Sequence, residues 1–451
     1  MDATITKLIE DNLPYKNKEK MELGEVFTPI HLISNLYDHF PLSILKDSTL
    51  TWIDPACGIG NFTLVLFFKL METLRSKISN DVKRAKHIIE KMLFMVEINT
   101  ANVAICKKLF KQICPTAVPN IHCGNFLLDT HQGWPSKFDC IVGNPPYNIG
   151  GTARDGTKRT HVVFTDHGLK HITDTGFIAY ICPPSYRETD STMNKLFRDA
   201  NGHFVYIKIY GPNETYSLFR VQGRVDAFIY QKSKKGSTIV DDEYNVVTKS
   251  TLDLTRHIPN FGLSIFDKLH NKVASLGKVD AFRNTEMSSV KKDVCVKGTN
   301  KVLHLIIEKG RRIFKTAKKH SMTDTPKLLV NGLGLPYVYY DKGEYGPSQT
   351  PIIVLKPSAK LVDFVKSDFF PFIAWGLRLT GNNNLPYLFD YVPDVSKEKS
   401  YKTMEQIKVW LDLTDKEMRF ITEHFHAYKY ADADVIELCK KKTLKSKTFK
   451  K

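Results

Sequence analysis

No stretch of this 451-residue sequence stays apolar for anything near the roughly 20 residues needed to cross a bilayer. The longest runs, such as Phe62–Leu70, break off early. The N-terminus has no basic start followed by an apolar segment, so no secretory signal is expected and the chain reads as cytoplasmic, with no membrane partner. None of the eight cysteines (Cys57, Cys106, Cys114, Cys123, Cys140, Cys182, Cys295 and Cys439) belongs to a Cys-x-x-Cys pair. Reduced thiols used as small core residues are expected, and no metal site. Acidic residues are the minority, 48 against 65 Lys plus Arg, for a formal net charge of +17. That balance excludes acid-rich disorder and points to a polyanionic partner, without choosing between nucleic acid and an anionic membrane surface. Also missing are a G-x-G-x-x-G turn, a phosphate loop, any internal repeat, and a Pro-Asp…Asp/Glu-x-Lys nuclease constellation ahead of the motifs described below.

What is present is a chain long enough for two cores, with 42% hydrophobic and 25% charged residues. From about residue 49 to 231, β-type runs alternate with amphipathic segments: 50–53, 94–98, 138–142 and 177–181 read as strands. Helical patterns begin near Phe62 and run through Asn102, Ile105, Leu109 and Phe110, with an extra helix around Asn80–Met92. Apolar strands separated by helices predict an α/β domain on a largely parallel sheet. His203–Ile209 and Val225–Tyr230 read as a closing strand pair with no helix between them. The basic run 232–237 then predicts a linker, placing a first domain over 1–235. A mixed α+β second domain is expected over 236–430, with helices near Met404–Val409 and Asp415–Phe425. The lysine-rich tail 440–451 has no apolar face and is expected to be disordered; it would add sequence-independent, salt-sensitive affinity, with a nuclear-type address or a solvated end as equal alternatives.

Three strand ends carry chemistry. Asp54-Pro55-Ala56-Cys57-Gly58-Ile59-Gly60-Asn61-Phe62 joins a strand to a helix, and its glycines allow a tight turn and a close approach to a bound molecule. A plain βα turn is the competing reading. Glu97 ends the next strand, where a carboxylate can accept from both hydroxyls of a ribose; a solvent-facing acid is equally compatible. Asn144-Pro145-Pro146-Tyr147 follows Phe138–Gly143. Its two prolines hold the chain extended and fix the Pro145 carbonyl beside the Asn144 amide and the Tyr147 ring. Two convergent acceptors next to an aromatic face suit a planar exocyclic NH2 group.

Gly24-Glu25-Val26-Phe27-Thr28-Pro29, then Asp54–Phe62, then Asn144–Tyr147, in that order, resembles the gamma class of S-adenosylmethionine-dependent DNA adenine-N6 methyltransferases, the group of the Taq methylase. The motifs cover roughly residues 22–231. Leu385–Asp394 followed by Leu411–Thr422 is similar to the C-terminal end of relatives that join methylase and recognition domains. The resemblance implies a Rossmann-like methyltransferase sheet, mostly parallel with its last strand antiparallel, and a target-recognition domain behind it. It implies double-stranded DNA as substrate, a restriction endonuclease as a compatible partner, and S-adenosylmethionine as cofactor. Phe27, Thr28 and Pro29 would then pack over the cofactor, and Asp54, Pro55, Ala56, Cys57, Gly58 and Gly60 would form the turn under its methionine part. Glu97 and Ile98 would contact its ribose and adenine, and Asn125 with Phe126 would read its adenine, Asn125 standing where the family usually has Asp. Asn144, Pro145, Pro146 and Tyr147 would act on the target amino group. Phe219 is similar to the aromatic that stacks on a flipped base, with a core phenylalanine as the competing reading.

Base readers are expected in the second domain, with Arg311, Arg312, Arg378 and Asn383 as candidates. Phosphate contacts or turns are the rival role for each, since at least half of DNA contacts go to the backbone. Two other functions stay open from sequence: methyl transfer to ribosomal RNA or a protein glutamine, whose acceptor is again a planar NH2, and an inactive DNA-binding subunit. Target site and oligomeric state are not legible.

Overall fold

The structure, a computed structural model, describes residues 7, 28–129, 133–147, 159–287, 298–308, 310–379, 384–426 and 435–437. Phe27, Asn383 and the 440–451 tail therefore lie outside the described residues. The chain divides into two compact units, Met1–Phe261 and Gly262–Lys451.

Among the described residues, the first unit is built on β1 (Trp52–Asp54), β2 (Leu93–Glu97), β3 (Asn120–Cys123), β4 (Phe138–Gly143), β5 (Ile172–Cys182), β6 (His203–Ile209), β7 (Asp226–Gln231), β8 (Thr238–Asp241) and β9 (Val247–Ser250). They form one sheet in the order β3-β2-β1-β4-β5-β7-β6-β8-β9. β1 pairs in parallel with both β2 and β4, and β7 is antiparallel to its neighbours β5 and β6. This is the expected architecture, a mostly parallel sheet; besides β7, the last strand β9 is antiparallel to its neighbour β8.

β1 and β2 are buried along their whole lengths, which is why they read as unbroken apolar runs rather than alternating ones. The helices are α1 (Ile30–Asp38), α2 (Asn61–Thr73), α3 (Asp81–His87, continued by a π turn over Ile88–Met92), α4 (Thr100–Ile113), α5 (Thr160–His171), α6 (Thr192–Asp199) and α7 (Pro212–Phe219). α3 is the extra helix expected between the first two strands; Asn80 caps it by accepting from the Lys83 amide. A core of Tyr37, Trp52, Leu66, Phe67, Met95, Phe110, Cys140 and Val142 holds these layers together.

Two expectations need correction. The first unit ends at Phe261, not at 235, because β8 pairs with β6 and β9 with β8, so the basic 232–237 run is a turn inside the sheet. The β6 and β7 strands are also joined through α7. Pro212 at its first turn was the readable start signal, but its apolar face is too short to reveal a periodicity.

The second unit is mixed α+β, as expected. α8 (Leu263–Leu276) precedes a sheet of β10 (Asn300–Ile307), β11 (Gly310–Thr316), β14 (Gly346–Pro347) and β16 (Val435–Glu437). A smaller sheet holds β12 (Lys327–Val330), β13 (Val338–Asp341) and β15 (Ile352–Leu355). Helices α9 (Ala359–Val365), α10 (Phe369–Gly376), α11 (Met404–Leu411) and α12 (Asp415–His424) follow. α11 and α12 begin where the sequence placed them, each at a reciprocal capping box, Thr403 with Gln406 and Thr414 with Glu417. Among the described residues no helix is long and apolar enough to cross a membrane.

Candidate active site

The strand order reverses between β1 and β4, and ligands of open α/β sheets bind outside the carboxyl ends of strands at such a point. Asp54, Glu97 and Gly143 close β1, β2 and β4 there, so the three sequence motifs share one edge.

Direct contacts tie them together. The Asn144 side-chain amide donates to Thr28 Oγ1 at 3.0 Å, and Asn61 donates to the Thr28 carbonyl at 3.3 Å. Buried Thr28 thus joins the start of α2 to the Asn-Pro-Pro-Tyr loop, a link Asn61 supplies without having been singled out in the sequence. With its nitrogen committed to Thr28, Asn144 has its carbonyl oxygen as the half that can accept from a substrate amino group. Gly143, at φ 153°, brings the chain so close to Asp54 that a Cβ there would sit 2.7 Å from its Oδ1. Pro145 is buried, Pro146 exposed and Asn144 half-buried. Burial raises the Tyr147 phenol well above its ordinary range; the nearby Cys182 thiol adds to this and the Asn144 side chain opposes it.

The glycine turn is equally constrained. Gly58 and Gly60 take φ values of 55° and 96°. A Cβ at Gly60 would meet Cys106 Sγ at 2.8 Å, whereas one at Gly58 would meet nothing within 4 Å, so the turn faces open space there. Glu97 staples the turn by accepting the Gly58 amide at 2.8 Å through Oε2 and the Asn99 amide at 2.7 Å through Oε1. The neighbouring Ile98 is 71% exposed, an apolar side chain at the mouth of the turn. Burial pushes the Asp54 carboxyl up to about 8; the Ala56 amide, donating at 3.1 Å, opposes the rise and the Glu97 charge adds to it. Pro55, Ala56 and buried Cys57 complete the turn, the Cys57 amide donating to the Val96 carbonyl at 3.0 Å.

Asn125 follows β3. Its side-chain oxygen accepts the Leu127 amide at 3.0 Å, while buried Phe126 packs against Phe164 and His167 with ring centroids 6.1 and 4.8 Å apart.

Residues 13–191 match the family model "N-6 DNA Methylase". That match lies wholly within the first unit. The chain is 26% identical over 196 residues to the type II methyltransferase M.VspI of a Vibrio species, covering 40% of this chain and only 42% of that protein. It is 22% identical over 327 residues to an uncharacterized adenine-specific methylase of Mycoplasma pneumoniae, covering 56% of this chain and 77% of that one. Among solved structures it is similar to the type IIL restriction-modification enzyme MmeI in complex with DNA, with a TM-score of 0.49 and 11% identity over 79% of this chain and 65% of that one.

Two sequence candidates are displaced by the structure. Phe219 is buried in the core of the first unit, edge-on to Tyr210 at 6.2 Å, so the core reading holds and its ring is not presented to a base. Arg378 is buried over the Trp375 ring at 3.9 Å and donates to the Gly334 carbonyl and to Asn384 Oδ1, the latter at 3.0 Å. It is a brace inside the second unit. Arg311 and Arg312 are half-buried on β11, Arg311 lying over Tyr339 at 4.6 Å.

Proposed function

We propose that this chain is a site-specific DNA adenine-N6 methyltransferase using S-adenosylmethionine and acting as a modification methylase. The observation that carries the reading is the bond from Asn144 to Thr28, which joins the acceptor loop to the segment resting on the glycine turn. The residues fit the cofactor: an open turn at Gly58, a carboxylate beside it at Glu97, an exposed apolar side chain at Ile98 and a buried acid at Asp54. When bound, S-adenosylmethionine supplies an electrophilic sulfonium methyl group. The motif order is compatible with the gamma class.

The amino nitrogen of adenine is a poor nucleophile because its lone pair is conjugated with the ring. Accepting both of its hydrogens, at Asn144 Oδ1 and the Pro145 carbonyl, builds electron density on nitrogen and favours a pyramidal geometry. Thr28 holds the Asn144 amide in the orientation this requires. The target atom is inside the duplex, so the base must swing out at a cost of a few kcal/mol. The second unit then supplies DNA contacts, with Arg311 and Arg312 the remaining described candidates of those read from sequence. In this reading the methylation shields sites from a cognate restriction endonuclease.

Radiolabelled methyl transfer into duplex DNA, RNA and protein tests the class of acceptor. Label in N6-methyladenine of DNA at one short sequence is expected. Label confined to RNA or to glutamine, or none with any acceptor, would overturn the proposal.

A further inference from the structure

His161, the second residue of α5, has no part in the chemistry above, yet it touches the loop that carries Asn144. Its Nδ1 lies 3.3 Å from the Tyr147 carbonyl oxygen and its Nε2 lies 2.8 Å from Ser185 Oγ. A carbonyl can only accept, so Nδ1 carries the hydrogen. In the neutral ring Nε2 is then bare and accepts from the Ser185 hydroxyl. Burial pushes the imidazole down to about 4; the Tyr147 carbonyl opposes this and the Arg159 charge adds to it, so the ring stays neutral. The Tyr147 carbonyl also accepts the Thr160 amide at 3.1 Å, and the two rings meet edge to face at 6.3 Å. Ser185 belongs to the Pro183-Pro184-Ser185 loop that leaves β5, and Ser191 donates to its carbonyl. The imidazole is therefore a strut between the loops that follow β4 and β5 at the carboxyl edge of the sheet.

We infer that His161 is a positioning residue: by holding the Tyr147 carbonyl it sets the pose of Asn144-Pro145-Pro146 toward the substrate amino group. The inference rests on the methyl-transfer reading. Prolines make the tetrapeptide stiff, so a force applied at its last carbonyl is transmitted to Asn144 instead of being absorbed by bond rotation. Acceptors that must meet a reacting nitrogen along defined directions tolerate little displacement; an error near 1 Å can cost on the order of a hundred-fold in rate.

Two substitutions separate the halves of the strut. His161→Asn puts an amide nitrogen close to the place of Nδ1 and keeps the donor to Tyr147. His161→Gln reaches the place of Nε2, keeps the Ser185 side and loses Tyr147. Both replace the ring with a polar side chain, so a general packing defect would affect them alike. The readouts are kcat and KM for S-adenosylmethionine on duplex DNA, and hydrogen exchange of the Thr160 amide, which shares the Tyr147 carbonyl. We expect His161→Gln to lower kcat about ten-fold with KM unchanged, and His161→Asn to stay within about three-fold of the unmodified protein. Thr160 exchange is expected to quicken in the Gln variant alone. Equal kcat in all three proteins, or an equal loss in both variants, overturns the inference. If the unmodified protein transfers no methyl group, the methylase reading fails while Thr160 exchange still decides whether His161 holds the loop.

Discussion

Asp54 offers a quantitative test because its burial makes the first unit sensitive to pH in an unusual direction. Its carboxyl is 1% exposed and pushed up to about 8, whereas in an unfolded chain it would titrate near 3.9. Between those values the native state holds a proton that the unfolded state has released. Stability therefore falls as pH rises, by at most about 1.4 kcal/mol per unit, and by about 4 kcal/mol in total at pH 7 as a ceiling. The loss levels off once pH passes about 8. Asp54→Asn is close to isosteric and cannot ionise, so it removes this slope. Urea unfolding of both proteins at half-unit steps from pH 5 to 8.5 should show the variant gaining on the parent steadily toward high pH. Parallel curves would mean that Asp54 is ionised in the native state, and the account of its burial would be wrong. The same proton links to the cofactor: a cationic ligand beside Asp54 favours the carboxylate. Affinity for S-adenosylmethionine should rise with pH up to about 8, with net proton release on binding, and Asp54→Asn should bind more weakly without that pH dependence.

Asn144→Ala should lower kcat by at least about a hundred-fold with the dissociation constant for S-adenosylmethionine unchanged, read by methyl transfer and calorimetry. Gly143→Ala drives a Cβ to 2.7 Å from Asp54 Oδ1 and should cost about 1–3 kcal/mol of stability in a denaturant titration. Gly58→Ala, facing open space, should cost only about 1 kcal/mol but weaken cofactor binding; unchanged binding would remove Gly58 from the cofactor turn. Arg378→Ala should destabilise the chain by about 2–3 kcal/mol yet leave the methylated sequence the same, as mapped by sequencing DNA from expressing cells. Arg311→Ala should instead reduce DNA affinity and flatten its salt dependence by about one phosphate contact.

The parts legible in the sequence are those where function and local backbone coincide. Gly58 and Gly60 announce a turn because few other residues accept their φ values, and Asn144-Pro145-Pro146-Tyr147 announces rigid acceptors because proline restricts its own chain. Strands β1 and β2 were legible because burial on both faces makes them uniformly apolar. Where burial is decided by distant partners, local reading failed. Nothing adjacent to Arg378 distinguishes a brace from a base reader except Trp375, three residues earlier, whose ring it covers just past the end of α10. Phe219 carried a comparable hint: it lies four residues after Thr215, and the two share the buried side of α7. The β8 and β9 strands are not legible because a charged turn at a sheet's edge has the same composition as a linker.

The least legible feature is the one on which the site depends most. Thr28 meets Asn144 across 116 residues and Asn61 across 33, so no window of sequence contains the contact. Motif order made the meeting plausible; the sheet order, with β1 beside β4 at the point of reversal, brings the two loops to one edge. The same adjacency presses Gly143 against Asp54. A side chain at Gly143 would push the acceptor loop away from the glycine turn, so the two motifs constrain each other through the strand pair from which they emerge. Thr28→Val, which keeps the shape and removes the hydroxyl acceptor, should therefore lower kcat while leaving the fold intact. A variant with full activity would show that strand pairing alone suffices to orient Asn144.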